Sequence, residues 1–105
     1  MFASYEFERV TTVNNGSAIG MIETMGLVGL IQGIDAMLKA ANVTLASSVI
    51  KLDGGLVSVM VQGDVSSVRA AVEAGADAAA RGGQLIAAHV IPRPQNVVVQ
   101  TFIGG

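Results

Sequence analysis

The stretch SVIKLDGGLVSVMV, residues 48–61, decides the fold. Two runs of strand-forming residues flank Asp53-Gly54-Gly55, and Asp-Gly-Gly between such runs is a hairpin signal. The spacing predicts one strand over 43–52 (VTLASSVIKL) and another over 56–62 (LVSVMVQ). In the second, Val57, Val59 and Val61 point one way, and Ser58, Met60 and Gln62 the other.

Moving outward, each side of the hairpin meets a helical pattern. In TMGLVGLIQGIDAMLKAAN, 24–42, Leu27, Leu30, Ile31, Ile34, Leu38 and Ala41 recur at the spacing of a one-sided helix. Thr24 is placed to cap its start and Asn42 its end. Gly29 and Gly33 each cost about 1 kcal/mol of helix propensity relative to alanine. They are expected to let another backbone come close. GDVSSVRAAVEAGADAAARGG, 63–83, reads as a second helix, with Asp64 as N-cap and Gly82-Gly83 as its stop. Its many alanines let it lie close against a sheet. Beyond the helices lie two further strands, AIGMIE at 18–23 and QLIAAHVI at 84–91, the latter ending at Pro92.

The order is therefore β-α-β-β-α-β, two similar halves joined by the hairpin. That is an α+β class, the ferredoxin-like split βαβ: a four-stranded antiparallel sheet with two helices on one face. Residues 1–17 read as an N-terminal extension in which YEFERV alternates like a strand and NNGS like a linker. Residues 18–94 hold the domain, and 95–105 form a β-branched C-terminal tail.

Composition narrows the setting. The 105 residues fit one domain, yet 51% are apolar and only 13% charged, against about 25% charged in an ordinary soluble domain. Such a chain lies in a membrane or has much of its surface covered by other subunits. The longest charge-free run, Val10 to Ile22, has 13 residues and includes Asn14, Asn15 and Gly16. A spanning helix needs about 20 apolar residues. Glu6, Glu8 and Arg9 also spoil any secretory leader in the first ten positions. The expectation is a soluble, cytoplasmic oligomer. A net charge of -2 argues against a general nucleic-acid binder, and the absence of cysteine excludes disulfides and thiolate metal sites.

Little in the chain points to catalysis. The one histidine, His89, sits in an apolar strand with no acid-base partner nearby in sequence, and reads as a structural or interface residue. No metal-ligand spacing is present, and GDVSSV lacks the lysine and second glycine of a phosphate loop. The reading is of a non-enzyme without cofactors.

Further local strings go beyond fold. AIGMIET followed by GL, then DAMLKAANV, GLVSVMVQGDVSSVRAAVEAGA and AAHVIPRP resemble the bacterial microcompartment shell protein family, in order and at family spacing from Ala18 to Pro94. The resemblance implies cyclic hexamers, flat tiles that pack edge to edge into the shell of a carboxysome or metabolosome. It implies partners of the same kind: six copies of this chain, other shell proteins, enclosed enzymes, and small metabolites crossing a central pore. It implies a place in the bacterial cytoplasm, in the shell itself. A ring of subunits would also explain the composition, since each subunit hides two different lateral patches in a closed cyclic interface.

The same resemblance assigns roles. Lys39, of the DAMLKAAN string, together with Asn42 and with Arg93 of PRP, falls at the edge where one hexamer meets the next. Lys51, Leu52, Asp53, Gly54 and Gly55 fall on the loop that lines the pore. Asp53 departs from the family pattern, where a glycine is common. A ring of Asp53 would bias the pore against anions, with Lys51 nearby to counter it. Otherwise Asp53 serves only to shape the turn. Met25 also departs, standing where many relatives have a basic residue. The competing reading is a ferredoxin-like regulatory module that binds a small effector between subunits, which predicts a dimer or trimer and tight ligand binding.

Overall fold

The computed structural model describes residues 17–93. The expected extension at 1–17, Ser17 apart, and the tail at 95–105 lie outside the described residues. The elements run β1 (Ala18–Met25), α1 (Leu27–Ala40), β2 (Thr44–Leu45), β3 (Ile50–Lys51), a single 3-10 turn (Asp53–Gly55), β4 (Leu56–Gly63), α2 (Val65–Gly82) and β5 (Gln84–Ile91). The sheet order is β2-β4-β1-β5, with β3 also paired to β4, and every pairing is antiparallel. This is the expected split βαβ arrangement.

The strand expected over 43–52 is interrupted. Thr44 pairs with Gln62 and Leu45 with Val61, but Ile50 pairs with Ser58 and Lys51 with Val57. Four residues, Ala46 to Val49, therefore face only the two residues Val59 and Met60. Side-chain chemistry supports this bulge: the Met60 N–H donates to Ser47 Oγ at 3.0 Å, while the Ala46 N–H donates to the Met60 carbonyl at 2.8 Å. A hydroxyl that takes a ladder hydrogen bond lets the backbone leave the ladder without an orphaned donor. Ser47 is correspondingly buried.

The core lies between the sheet and the two helices. Ile22 of β1, Val57, Val59 and Val61 of β4, Leu30 and Met37 of α1, and Val68, Ala71 and Ala79 of α2 form one buried cluster. The valine alternation read from the sequence is thus the face toward the helices. Gly20 shares that face, and a Cβ there would lie 2.5 Å from a Val72 methyl. Its bare backbone is what lets α2 settle onto β1.

The buried face of α1 differs from the expected stripe. Gly29, Leu30, Gly33 and Met37 are buried, whereas Leu27, Ile31 and Leu38 are exposed. The helix turns its glycines inward because α2 crosses there: Gly29 faces the Ala79 carbonyl, and Gly33 and Gly75 each face the other's carbonyl, at 3.1 Å from a hypothetical Cβ. The glycines do admit a second backbone, as their cost in propensity suggested. Leu27, Val28, Ile31 and Leu38 are left as an apolar strip on the outside.

The helix ends also sharpen the reading. Thr24 does not cap α1; it is fully buried in β1, and its hydroxyl donates to the Gly26 carbonyl at 2.8 Å. Gly26, at φ 85, begins the helix instead, and Ala41 rather than Asn42 ends it. Asp64 caps α2 as expected. Its Oδ1 accepts the Ser67 N–H and the Ser66 hydroxyl, each at 2.8 Å, and its Oδ2 accepts the Ser67 hydroxyl at 3.1 Å.

These donors, the Ser67 amide first, hold the Asp64 carboxyl below its ordinary value of 3.8. A carboxylate with a lowered folded pKa contributes stability that is fully present above its unfolded pKa and is lost as pH falls through its folded value. We therefore expect Asp64→Ala to lower the urea midpoint relative to the parent at pH 7. The gap should hold down to about pH 5 and close below about pH 4. A gap that stays constant to pH 2.5 would contradict the role given to this carboxylate.

Candidate functional site

Both groups of candidate residues lie at the ends of the sheet. At one end is the hairpin turn. Lys51 closes β3 opposite Val57 and so shares the helix-side face, but it is exposed. The Leu52 N–H donates to the Leu56 carbonyl at 2.8 Å and shuts the hairpin. Gly54 has φ 80 and ψ 11, and Gly55 φ 88, conformations that a side chain resists and glycine accepts. A further bond ties the turn to the rest of the subunit, from the Gly26 N–H to the Gly55 carbonyl at 2.8 Å. All five residues from Lys51 to Gly55 are exposed, Leu52 by 53%. Met25 sits at this end too, paired with Leu56, and is 40% exposed.

At the other end of the sheet lie the candidate edge residues. Gly63 pairs with Ala18, and Ile91 with Ile19, so β4, β1 and β5 all reach this end. The Asn42 carbonyl packs against Gly63. Arg93 follows two residues after β5 and is exposed. Lys39 stands in the last turn of α1, where a cation suits the helix dipole. Its Nζ bonds Asp35 Oδ2 at 2.8 Å, one turn back, with both side chains largely in solvent. The structure thus gathers Lys39, Asn42 and Arg93 at one end and Lys51–Gly55 at the other. At about 3.4 Å per residue, the eight-residue β4 keeps these ends about 24 Å apart. Helix α1 runs the same way, from Gly26 beside the turn to Asn42 beside Gly63.

Among the described residues, no group of histidine, cysteine or carboxylate side chains is placed to hold a metal ion, and no helix is long and apolar enough to cross a membrane. His89 is exposed on the sheet face away from the helices, opposite Met21.

Residues 18–94 match the BMC domain family model. The chain belongs to the bacterial microcompartment (BMC) shell protein family. Among BMC relatives, the shell protein EutM of Salmonella typhimurium is 53% identical over 85 residues, 81% of this chain and 88% of the relative. The carboxysome shell protein CsoS1A of Hydrogenovibrio crunogenus is 54% identical over 84 residues, 79% of this chain and 86% of the relative. A crystal structure of a microcompartments protein from Desulfitobacterium hafniense superposes with a TM-score of 0.69 at 31% identity, over 80% of this chain. This chain spans only 45% of that longer one. A BMC shell protein has a structural role, and the chain is accordingly a structural component of a microcompartment shell.

Sequence reading missed the outward strip of α1. Three of its members, Leu27, Ile31 and Leu38, belong to the apolar row that spacing alone places on one buried face. The available signal was Gly29, Gly33 and Met37 at i, i+4 and i+8, a row of small residues ending in a flexible one that marks where another helix crosses.

Proposed function

We propose that the chain forms cyclic hexamers that tile into the facets of a bacterial microcompartment shell in the cytoplasm, with a central pore for small metabolites. In this reading the turn Lys51–Gly55 points to the sixfold axis and lines the pore. Lys39, Asn42 and Arg93 lie on the rim, where one hexamer meets another or a different shell protein. Enclosed enzymes would lie on one side of the tile.

The observation that carries this reading is the polarity of the subunit. A wedge in a ring needs one narrow end for the axis and one for the rim. The hairpin turn and the Lys39–Asn42–Arg93 group stand at opposite ends of the same strands. The subunit is also flat, 33 × 32 × 19 Å, as a tile segment would be. The exposed strip Leu27, Val28, Ile31 and Leu38 runs along α1 between the two ends. It suits a radial seam, since exposed apolar strips of this kind mark subunit contacts.

The first test is the native mass in dilute solution. Sedimentation equilibrium should give about six times the 10.7 kDa of one chain, without added ligand. A dimer or trimer would contradict the ring and favour an effector-binding module.

A further inference from the structure

We infer that Asp53 is a charge filter, whose carboxylate makes the shell pore favour cations and neutral molecules over anions. This rests on the pore reading above and adds the class of metabolite that crosses.

The decisive comparison is among aspartates. Asp35 pairs with Lys39, Asp77 with Arg81, and Asp64 accepts three hydrogen bonds as the cap of α2. Asp53 alone among the described aspartates has no such partner. An aspartate that shapes a turn does so by accepting a backbone N–H a residue or two further on. Asp53 accepts none.

The turn is held by other means. The backbone bonds Leu52 to Leu56 and Gly26 to Gly55 close it, and the positive φ of Gly54 and Gly55 sets its path. The carboxylate is therefore dispensable for the turn and free to act on what lies outside it.

Its position suits that task. Asp53 is the first residue of the three-residue apex, and the two that follow carry no side chain. No neighbouring group on the apex can shield it. Lys51 stands one step behind, on the strand and on the helix-side face of the sheet. Its ammonium, on an exposed and flexible stem, offsets part of the carboxylate's field. Sixfold repetition turns one unpaired charge into a ring. Charges confined within about 10 Å, the Debye length at 0.1 M salt, act together on an ion passing among them. With the carboxylates nearer the axis than the Lys51 ammoniums, the ring's field there repels anions and attracts cations.

The chain has no cysteine, so a single reporter thiol can be introduced without background. Leu52→Cys places it beside Asp53 on an exposed position of ordinary backbone geometry. The rates with a cationic and an anionic methanethiosulfonate reagent are then compared, at low and high salt. In the hexamer the cationic reagent should lead by at least about tenfold after correction for a free thiol. Adding Asp53→Asn should cut the lead by about tenfold, 0.5 M salt should shrink it, and Lys51→Ala should raise it. Crystals of the unaltered hexamer and of Asp53→Asn, soaked in rubidium bromide, read the same contrast without the thiol: rubidium at the axis in the first, not in the second. A six-subunit mass with a ratio unmoved by Asp53→Asn overturns the filter and leaves the tile standing. A mass other than six overturns the tile and the filter with it.

Discussion

Gly75→Val is expected to destabilise the subunit by about 3 kcal/mol, a large part of the 5–15 kcal/mol that holds an ordinary domain together. The reason is where the two helices cross. A Cβ on Gly75 would lie 2.4 Å from Met37 Cγ and 3.1 Å from the Gly33 carbonyl oxygen. Met37 is fully buried and Gly33 belongs to the facing helix, so neither can leave without opening the core. Overpacking of this kind costs about 1–3 kcal/mol, and valine adds two methyls beyond the Cβ. Alanine is the informative control. It brings the same Cβ clash but none of valine's extra methyls, and it regains about 1 kcal/mol of helix propensity, so Gly75→Ala should be milder than valine yet still less stable than the parent. Urea titration at fixed protein concentration reads both, since assembly makes apparent stability depend on concentration. A Gly75→Val midpoint equal to the parent's would mean that the helices are not in backbone contact there.

Lys39→Ala or Arg93→Ala should abolish extended sheets while leaving the hexamer and its subunits intact. Lys39 contributes little to the fold, because its pair with Asp35 is exposed and such pairs are worth about 0.3–0.5 kcal/mol. Arg93 lies beyond the last strand and makes no described contact in the subunit. At a rim-to-rim seam the same groups would be desolvated, and truncating one partner of a buried charged contact costs about 2–5 kcal/mol. That loss repeats at every edge of every tile, so a two-dimensional lattice magnifies it. The prediction is a drop of more than tenfold in sedimentable sheet, with an unchanged urea midpoint and an unchanged native mass. Sheets that persist in both variants would remove these residues from the rim.

Much of this fold is legible in the sequence. The hairpin at Asp53-Gly54-Gly55, the valine face of β4, the Asp64 cap and the bounds of β5 follow from local rules: turn chemistry, period-two alternation, an acceptor before a helix, a proline after a strand. The errors fell where tertiary contacts decide. Leu27, Ile31 and Leu38 read as core because apolar spacing does not say which of two faces meets a partner inside the subunit. Thr24 reads as a cap by residue type and by its place before the apolar row, but from within the strand its hydroxyl donates to the Gly26 carbonyl instead of accepting a helix N–H. The break at Ala46–Val49 depends on Ser47 meeting Met60, thirteen positions away, and no local rule anticipates it.

The candidate site divides in the same way. Resemblance supplied the residues Lys39, Asn42, Arg93 and Lys51–Gly55. Only the register of β1, β4 and β5 puts the two groups at opposite ends. The sequence flagged Asp53 as unusual but left its role between turn and charge. Its lack of a hydrogen-bond partner among the described residues, against the three bonds of Asp64, turns that question toward charge.

The central claim is that this subunit is one sixth of a tile with the Lys51–Gly55 turn at its centre. Electron microscopy of the concentrated protein, averaged to side-chain resolution, tests it most directly. The account predicts six-sided tiles in sheets or tubes, with Gly54 nearest the sixfold axis and Lys39 and Arg93 at the seams between tiles. Particles without sixfold symmetry, or tiles with Lys39 at the axis and the turn at the rim, would contradict it.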